Sequence, residues 1–342
     1  MRSHVRTLLL LAAAAALLGL FLRNVDLGAV GTDIRLARPG WLVFALATMF
    51  LTLAIRALRW QYLLEPLAAV GLANAFRATA VGFAANTLLP ARAGEVIRPY
   101  FLARHEPLSA AGAFATIVLE RLLDTVTVLI LLASFVVFFG AGVERSNPAM
   151  FSALKWAGVL AGLAAFGVLG VLFALAGDPT RLGGVLARLE SWLPARAARA
   201  LAAAAEKFAA GLGAIRRPRR LAVAILWSFP LWLTIASGIW AVSMAFGLDM
   251  PFVGSIPMLA LLVVGVAVPT PGAIGGFHEA FRLGATAFYG APDDVAVGAA
   301  VVLHALSIGP SLLLGLTFAA QDGLNLAGVR RLAGSASGEP AA

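Results

Sequence analysis

The chain contains no cysteine, which removes disulfides and thiolate metal sites from consideration. Charge is scarce too. Asp, Glu, Lys and Arg make up 13% of the 342 residues, about half the share of a soluble domain, while 61% are hydrophobic. No G-x-x-x-x-G-K-[ST] stretch is present, which argues against ATP hydrolysis by this chain. Strict apolar–polar alternation is missing, which argues against a β-barrel. The four histidines, His4, His105, His278 and His304, lack metal-ligand spacing, and no nucleophile–base set stands out. No metal and no cofactor is expected.

What the chain does have is long apolar blocks and a mean hydropathy of +0.92. A helix needs about 20 apolar residues at 1.5 Å each to cross a 30 Å hydrocarbon layer. Without water in that layer, backbone groups must pair within the segment, so the spans are helices. Clear spans are expected at 7–22, 40–56, 117–139, 153–176, 221–246, 253–269 and 294–320, with weaker, more polar segments at 71–89 and 273–290. The expected fold is an all-α polytopic membrane protein with about eight transmembrane helices, one or two re-entrant helical hairpins and a possible internal pseudo-repeat. Residues 1–330 read as one integral membrane domain and 331–342 as a disordered tail.

The basic N-terminus reads as the start of an uncleaved first helix. Between 177 and 220 nine Lys/Arg stand against three acids, a net +6. The positive-inside rule places that loop in the cytoplasm, and its alanine-rich stretch reads as an amphipathic surface helix. Arg2, Arg6, Arg56, Arg59, Arg330 and Arg331 fit the same side, so both termini are expected in the cytoplasm; the loop 23–39 dissents. The net charge of +9 therefore points to anionic membrane lipids rather than nucleic acid. Parity of crossings requires residues 66–116 to leave the cytoplasm and return, as two full crossings or, in better accord with the charges, as a re-entrant hairpin.

The turn of that excursion is "NTLLPARAGEVIRP", 86–99. Pro90 and Gly94 break the helix, and Arg92, Glu95 and Arg98 surround the break. A related stretch, "PTPGAIGGFHEAFR", follows at 269–282, where Pro271 precedes Gly275 by four residues and Glu279 precedes Arg282 by three. Pro90–Gly94 and Glu95–Arg98 repeat those spacings. The match is either an internal repeat or two independent turns, since the chain holds 35 Gly and 17 Pro. A broken helix exposes backbone N–H groups that favour anions, and arginine offers phosphate a two-pronged fork. Glu and Arg at i, i+3 can also simply pair and fix helix register. In "LERLLD", Glu120 and Asp124 share a helical face beside Arg121. They could accept a pair of arginines from the hairpin, or hold a coupling cation or proton.

"RALRWQYLL", "NTLLPARAGEVIRPYFLAR", "ATIVLERLLDTVTVLILL" and "VPTPGAIGGFHEA" together resemble the flippase-like family, the transmembrane region of lysylphosphatidylglycerol synthetase and its stand-alone relatives. The resemblance runs from about 41 to 320. It implies a bacterial inner-membrane protein that moves a phosphate-bearing or modified-headgroup lipid between leaflets. It carries Asn86, Pro90, Arg92, Gly94, Glu95, Arg98, Glu120, Arg121, Asp124, Pro271, Gly275 and Glu279 as motif residues, and Arg282 joins them through its spacing from Glu279. The family's soluble aminoacyl-transferase domain is not expected within 342 residues, so synthetase activity is not implied. The alternatives are an integral membrane transferase acting on a lipid-linked substrate and a scaffold for a lipid-modifying partner. A homo-oligomer or a lipid-synthesis partner would suit either. Asp293–Asp294 could form a metal pair but reads better as a helix start.

Overall fold

A computed structural model describes residues 26–89, 92–177, 195–214, 217–268 and 270–323. The expected span 7–22, residues 178–194 of the basic loop, Pro90 and the tail 331–342 lie outside the described residues. Among the described residues the secondary structure is eleven α-helices and three short 3-10 turns, with no strand.

The helices are α1 (Leu27–Leu36), α2 (Pro39–Leu64), α3 (Leu72–Leu88), α4 (Gly94–Leu102), α5 (Ala110–Ser146) and α6 (Pro148–Gly177). There follow α7 (Ala195–Gly211), α8 (Pro218–Ala245), α9 (Ser255–Ala267), α10 (Gly276–Tyr289) and α11 (Asp293–Gln321). Five of them, α2, α5, α6, α8 and α11, contain stretches long and apolar enough to cross a membrane. α3, α4, α9 and α10 have 17, 9, 13 and 14 residues, short of the roughly 20 a crossing needs. They form two helical hairpins, α3–α4 and α9–α10. The weaker segments 71–89 and 273–290 fall on α3 and α10, but the clear span expected at 253–269 is α9, whose 13 residues are too few to cross a membrane.

Two further expectations change. Residues 23–39 were read as a loop, but Asp26 accepts from the backbone N–H of Gly28 and Ala29 and caps α1, which packs against α11. The second span was expected to end at 56 with Arg56 and Arg59 in a cytoplasmic loop. Instead α2 continues to Leu64, and both arginines are buried within it. They are held by carboxylates from another helix, so they carry no weight in a loop-charge count.

The order long helix, hairpin, long helix occurs twice: α2, α3–α4, α5 and again α8, α9–α10, α11. The two leading helices pack extensively against one another. Thr48 meets Gly238, Arg59 meets Ser228, and the Arg38 N–H donates to the Ala245 carbonyl, so α2 and α8 run antiparallel. The two units are thus inverted. The first hairpin starts where α2 ends, and the second starts beside the N-terminus of α2, at the opposite end of the bundle. Each hairpin packs on the closing helix of the other unit, α3 on α11 and α9 on α5. Transporters built from inverted repeats place broken helices at such a meeting point.

Each hairpin closes on a pair of glycines. A Cβ on Gly94 would collide with the Gly82 carbonyl oxygen, and one on Gly276 with the Gly265 carbonyl oxygen. The equivalence of the two units therefore runs Gly82–Gly94 to Gly265–Gly276. It does not follow the Gly94–Gly275 match expected from proline spacing. Gly275 instead sits at φ 87 and opens α10.

The helix expected in the basic loop is α7. It packs against α5, with Gly211 directly on the Gly112 carbonyl. Ala205 and Ala209 are buried, while Glu206 and Lys207 face outward.

Candidate functional site

The two hairpin turns meet. Gly272, in the turn Pro271–Ala273, lies against the Thr87 carbonyl, and Arg92 Nη2 donates to the Val266 carbonyl at 3.3 Å. Each turn holds one non-glycine residue in the left-handed region, Arg92 at φ 55 and Ala273 at φ 56. L-residues visit that region rarely, and such strain gathers at functional turns. At Arg92 it aims the side chain across the gap between the hairpins.

Beneath the first turn lies a buried charge cluster built on α5. One helical turn separates Glu120 from Asp124, so both carboxylates face α2, with Glu120 also reaching α4 and Asp124 reaching α8, while Arg121 is rotated about 100° away. Arg98 from α4 donates to Glu120 through Nη1 at 3.0 Å and Nη2 at 3.4 Å. Its guanidinium lies 3.8 Å from the ring of Trp60, whose Nε1 donates to Thr116 at 3.0 Å. Arg56 donates to Glu120 and to Asp124, at 3.3 Å each. Arg59 reaches Asp124 at 2.7 Å and donates to Ser228 at 2.6 Å. Trp232 donates to Asp124 at 3.0 Å. Arg121 donates to Glu120 at 2.7 Å and lies 3.5 Å from Asp124.

Of the two roles expected for Glu120 and Asp124, the structure fills the first. They accept an arginine from the hairpin, Arg98, together with three others. Arg98 does not pair with Glu95 at i, i+3. Glu95 stands 3.7 Å from Arg92 instead, because α4 turns Arg98 inward onto α5. In the second copy the i, i+3 pair does form: Arg282 grips Glu279 at 2.8 and 3.0 Å and reaches Asp293 at 3.3 Å. That pair ties α10 to the first turn of α11, and Asp293–Asp294 open the helix as expected.

Two cavities adjoin the meeting point. One, about 320 Å³, is lined by Arg92, Arg121, Asp124 and largely aliphatic side chains of α5, α8 and α9. The other, about 250 Å³, is lined by Asn86, Thr87, Arg92, Glu95, Arg121, Thr270, His304, Ser307 and Ser311 among others. They share Arg92, Arg121, Val266, Phe277 and Ser307. Exposure sorts the arginines. The Arg92 and Arg121 side chains are 45% and 35% exposed, while Arg98 is at 5% and Arg59 at 0%. Arg92 and Arg121 are thus the cations at the junction, and the other three arginines lie behind them. Asn86 lines the second cavity, with its Oδ1 buried against Gly94. Glu279 and Arg282 line neither cavity.

The structure adds residues that the motifs did not single out. Arg56 and Arg59, at i, i+3 in "RALRW", lie on one helical face, a spacing that could have signalled an acidic partner. His304 and His278, set aside for want of spacing, lie with ring centres 4.3 Å apart and planes tilted by 49°. His304 Nε2 lies 2.7 Å from the Gly272 carbonyl and helps hold the turn, and the Gly275 N–H donates to His278. The repeat also has a sequence trace, V-G-x-A, at 81–84 and 264–267.

A UPF0104 membrane protein of Methanothermobacter thermautotrophicus is 31% identical over 125 residues, 36% of this chain and 37% of that protein. Another UPF0104 membrane protein, from Methanocaldococcus jannaschii, is 30% identical over 90 residues, 25% of this chain and 27% of that one. The chain thus spans about a third of the length of these relatives. The family described as the lysylphosphatidylglycerol synthase TM region matches residues 7–315. With its apolar helices and its match across nearly the whole sequence, the chain is a multi-pass membrane protein that belongs to the lysylphosphatidylglycerol synthase transmembrane-region family.

Proposed function

We propose that the protein moves an anionic lipid between membrane leaflets, taking the lipid phosphate between Arg92 and Arg121 where the two hairpins meet. The observation that carries this reading is the pair of half-exposed guanidiniums shared by two adjoining cavities whose walls are mainly apolar. Charges at membrane depth are costly, and they mark ion and substrate paths. A phosphodiester presents oxygens to both forks, and the aliphatic cavity suits the start of an acyl chain. Glu120 and Asp124 orient the cluster, because a carboxylate repels phosphate but grips guanidinium. The inverted hairpins give the two membrane faces equivalent routes to one central site. The protein acts in the inner membrane, with its basic loop on anionic lipid of the cytoplasmic leaflet.

The test is headgroup-labelled phosphatidylglycerol in proteoliposomes, with a membrane-impermeant quencher reporting leaflet exchange. Wild type speeds exchange. The double variant Arg92→Ala, Arg121→Ala is expected to slow it on the order of tenfold or more, the loss of one to two charge-assisted hydrogen bonds, while remaining monodisperse. Full exchange by the well-folded double variant sinks this reading. A chemically altered lipid without exchange would replace it with a transferase.

A further inference from the structure

We propose that one buried water, held between α3, α4 and α5 by Asn86, Arg98 and Arg121, is a fixed part of the first hairpin, and that Asn86 thereby positions Arg121 for the lipid phosphate. The water stands on the packing alone. The role given to Asn86 rests on the transport reading above.

Both arginines commit Nη atoms to Glu120. Arg98 donates to it through Nη1 and Nη2, at 3.0 and 3.4 Å, and Arg121 through Nη2 at 2.7 Å. Each is left with an Nε–H that is buried and has no hydrogen-bond partner among the described residues. Asn86 has the complementary problem, because its Oδ1 is buried and accepts from no described residue. Buried polar groups are nearly always paired, with water where protein does not reach.

The three residues line one cavity. It measures about 20 Å³, with Gly82, Gly94 and Glu95 also in its wall, which is room for one water. A Cβ at Gly94 would stand 2.7 Å from Asn86 Oδ1. The close approach of α3 and α4 therefore brings the amide to the cavity and leaves no side chain there to fill it. Arg56 and Arg59, whose Nε atoms also lack a partner, do not line it.

The donor and acceptor count selects water over an anion. A water accepts two hydrogen bonds and donates two. It takes the two Nε–H groups and gives its hydrogens to Asn86 Oδ1 and the Glu95 carboxylate. An anion only accepts, and it would face an amide oxygen and a carboxylate in a dry cavity. The 250 Å³ cavity shares Phe83, Asn86, Glu95 and Arg121 with this small one, so the water sits directly behind the arginine that faces the lipid. Arg121 is then fixed through Nη2 on Glu120 and Nε on the water, which leaves Nη1 for a ligand.

The first readout is a wild-type density map at a resolution that shows ordered waters. A single feature within hydrogen-bond distance of Arg98 Nε, Arg121 Nε and Asn86 Oδ1 is expected, and an empty cavity overturns the proposal. Replacing chloride by gluconate should leave the thermal midpoint unchanged. A chloride-dependent midpoint would put an anion in the water's place and overturn it too. The second readout is phosphatidylglycerol exchange in phosphatidylcholine vesicles over a series of phosphatidylglycerol fractions. Asn86→Ala removes the acceptor with no added bulk, and Asn86→Leu also fills the space. Both are expected to raise the half-saturating fraction on the order of fivefold, the effect of one hydrogen bond, at the wild-type maximal rate. A purely structural defect lowers the maximal rate instead, by lowering the share of folded protein. Wild-type half-saturation in both folded variants, or a fall in maximal rate alone, overturns the positioning role. If wild type itself exchanges no lipid, the transport reading fails and the role of Asn86 with it, while the map still decides the water.

Discussion

Arg98 grips Glu120 with both Nη atoms, at 3.0 and 3.4 Å, while its other face lies 3.8 Å from the Trp60 ring. The most conspicuous arginine of the hairpin is therefore walled off from the cavities, and Arg92, six residues earlier, faces them. Glu120 is completely buried and accepts from three arginines. A carboxylate in that position is the keystone of a charge cluster joining α2, α4 and α5.

Removing that keystone leaves the buried Arg98 without a counter-charge and leaves Arg56 and Arg121 to share Asp124 with Arg59. Glu120→Gln is expected to cost about 3–5 kcal/mol, seen as a lowered thermal midpoint or lost folded protein in detergent. The exchange Arg98→Glu with Glu120→Arg is expected not to restore stability, because the carboxylate would leave Arg56 and Arg121 behind. A wild-type midpoint for Glu120→Gln, or full rescue by the exchange, would remove the multi-arginine account.

The glycine contacts make a sharper test of the hairpins. Gly94→Ala and Gly276→Ala each push a methyl into a facing carbonyl and are expected to destabilise by about 1–3 kcal/mol. Gly167→Ala is the control. A Cβ there meets nothing within 4 Å, and alanine favours a helix, so stability should hold or rise by up to about 1 kcal/mol. Thermal unfolding of the three variants decides it: equal midpoints would mean that the hairpin arms can separate at no cost.

Sidedness follows from α5. Gly112 near its start packs on Gly211 of α7, and Glu144 lies near its far end, roughly 48 Å away at 1.5 Å per residue. That exceeds a bilayer's hydrocarbon thickness, so α7 and Glu144 lie on opposite faces. In this cysteine-free chain, Glu144→Cys is expected to react with an impermeant thiol reagent in intact cells, and Glu206→Cys on α7 only after lysis. Labelling of both from outside contradicts the placement of α7 at the cytoplasmic face.

Ligand protection reads the arginines without any transport step. Phosphatidylglycerol at about a hundred times its dissociation constant should raise wild-type stability by about 2.7 kcal/mol. The gain should vanish in Arg92→Ala, Arg121→Ala. An undiminished shift in that variant would place the lipid elsewhere on the protein.

Much of this architecture is legible residue by residue. A run such as 221–246 has to be a membrane helix, because length and hydropathy leave its backbone no other way to satisfy its hydrogen bonds in lipid. Pro and Gly in 86–99 and 269–282 mark broken helices for an equally local reason, and Glu120 and Asp124 share a face by helical period alone. The partners of these groups are not local. Arg56 and Arg59 lie more than 60 residues before Glu120 and Asp124, and hydropathy scores a paired, buried guanidinium the same as one in a loop. Proline spacing likewise suggested the wrong glycine of the second hairpin, since Gly276 is identified only by the Gly265 carbonyl it touches. The choice of Arg92 and Arg121 over Arg98 as the cavity-facing cations has the same origin. All three are arginines in polar motifs, and only the packing of α4 on α5 turns one inward onto a carboxylate and leaves the other two facing open space.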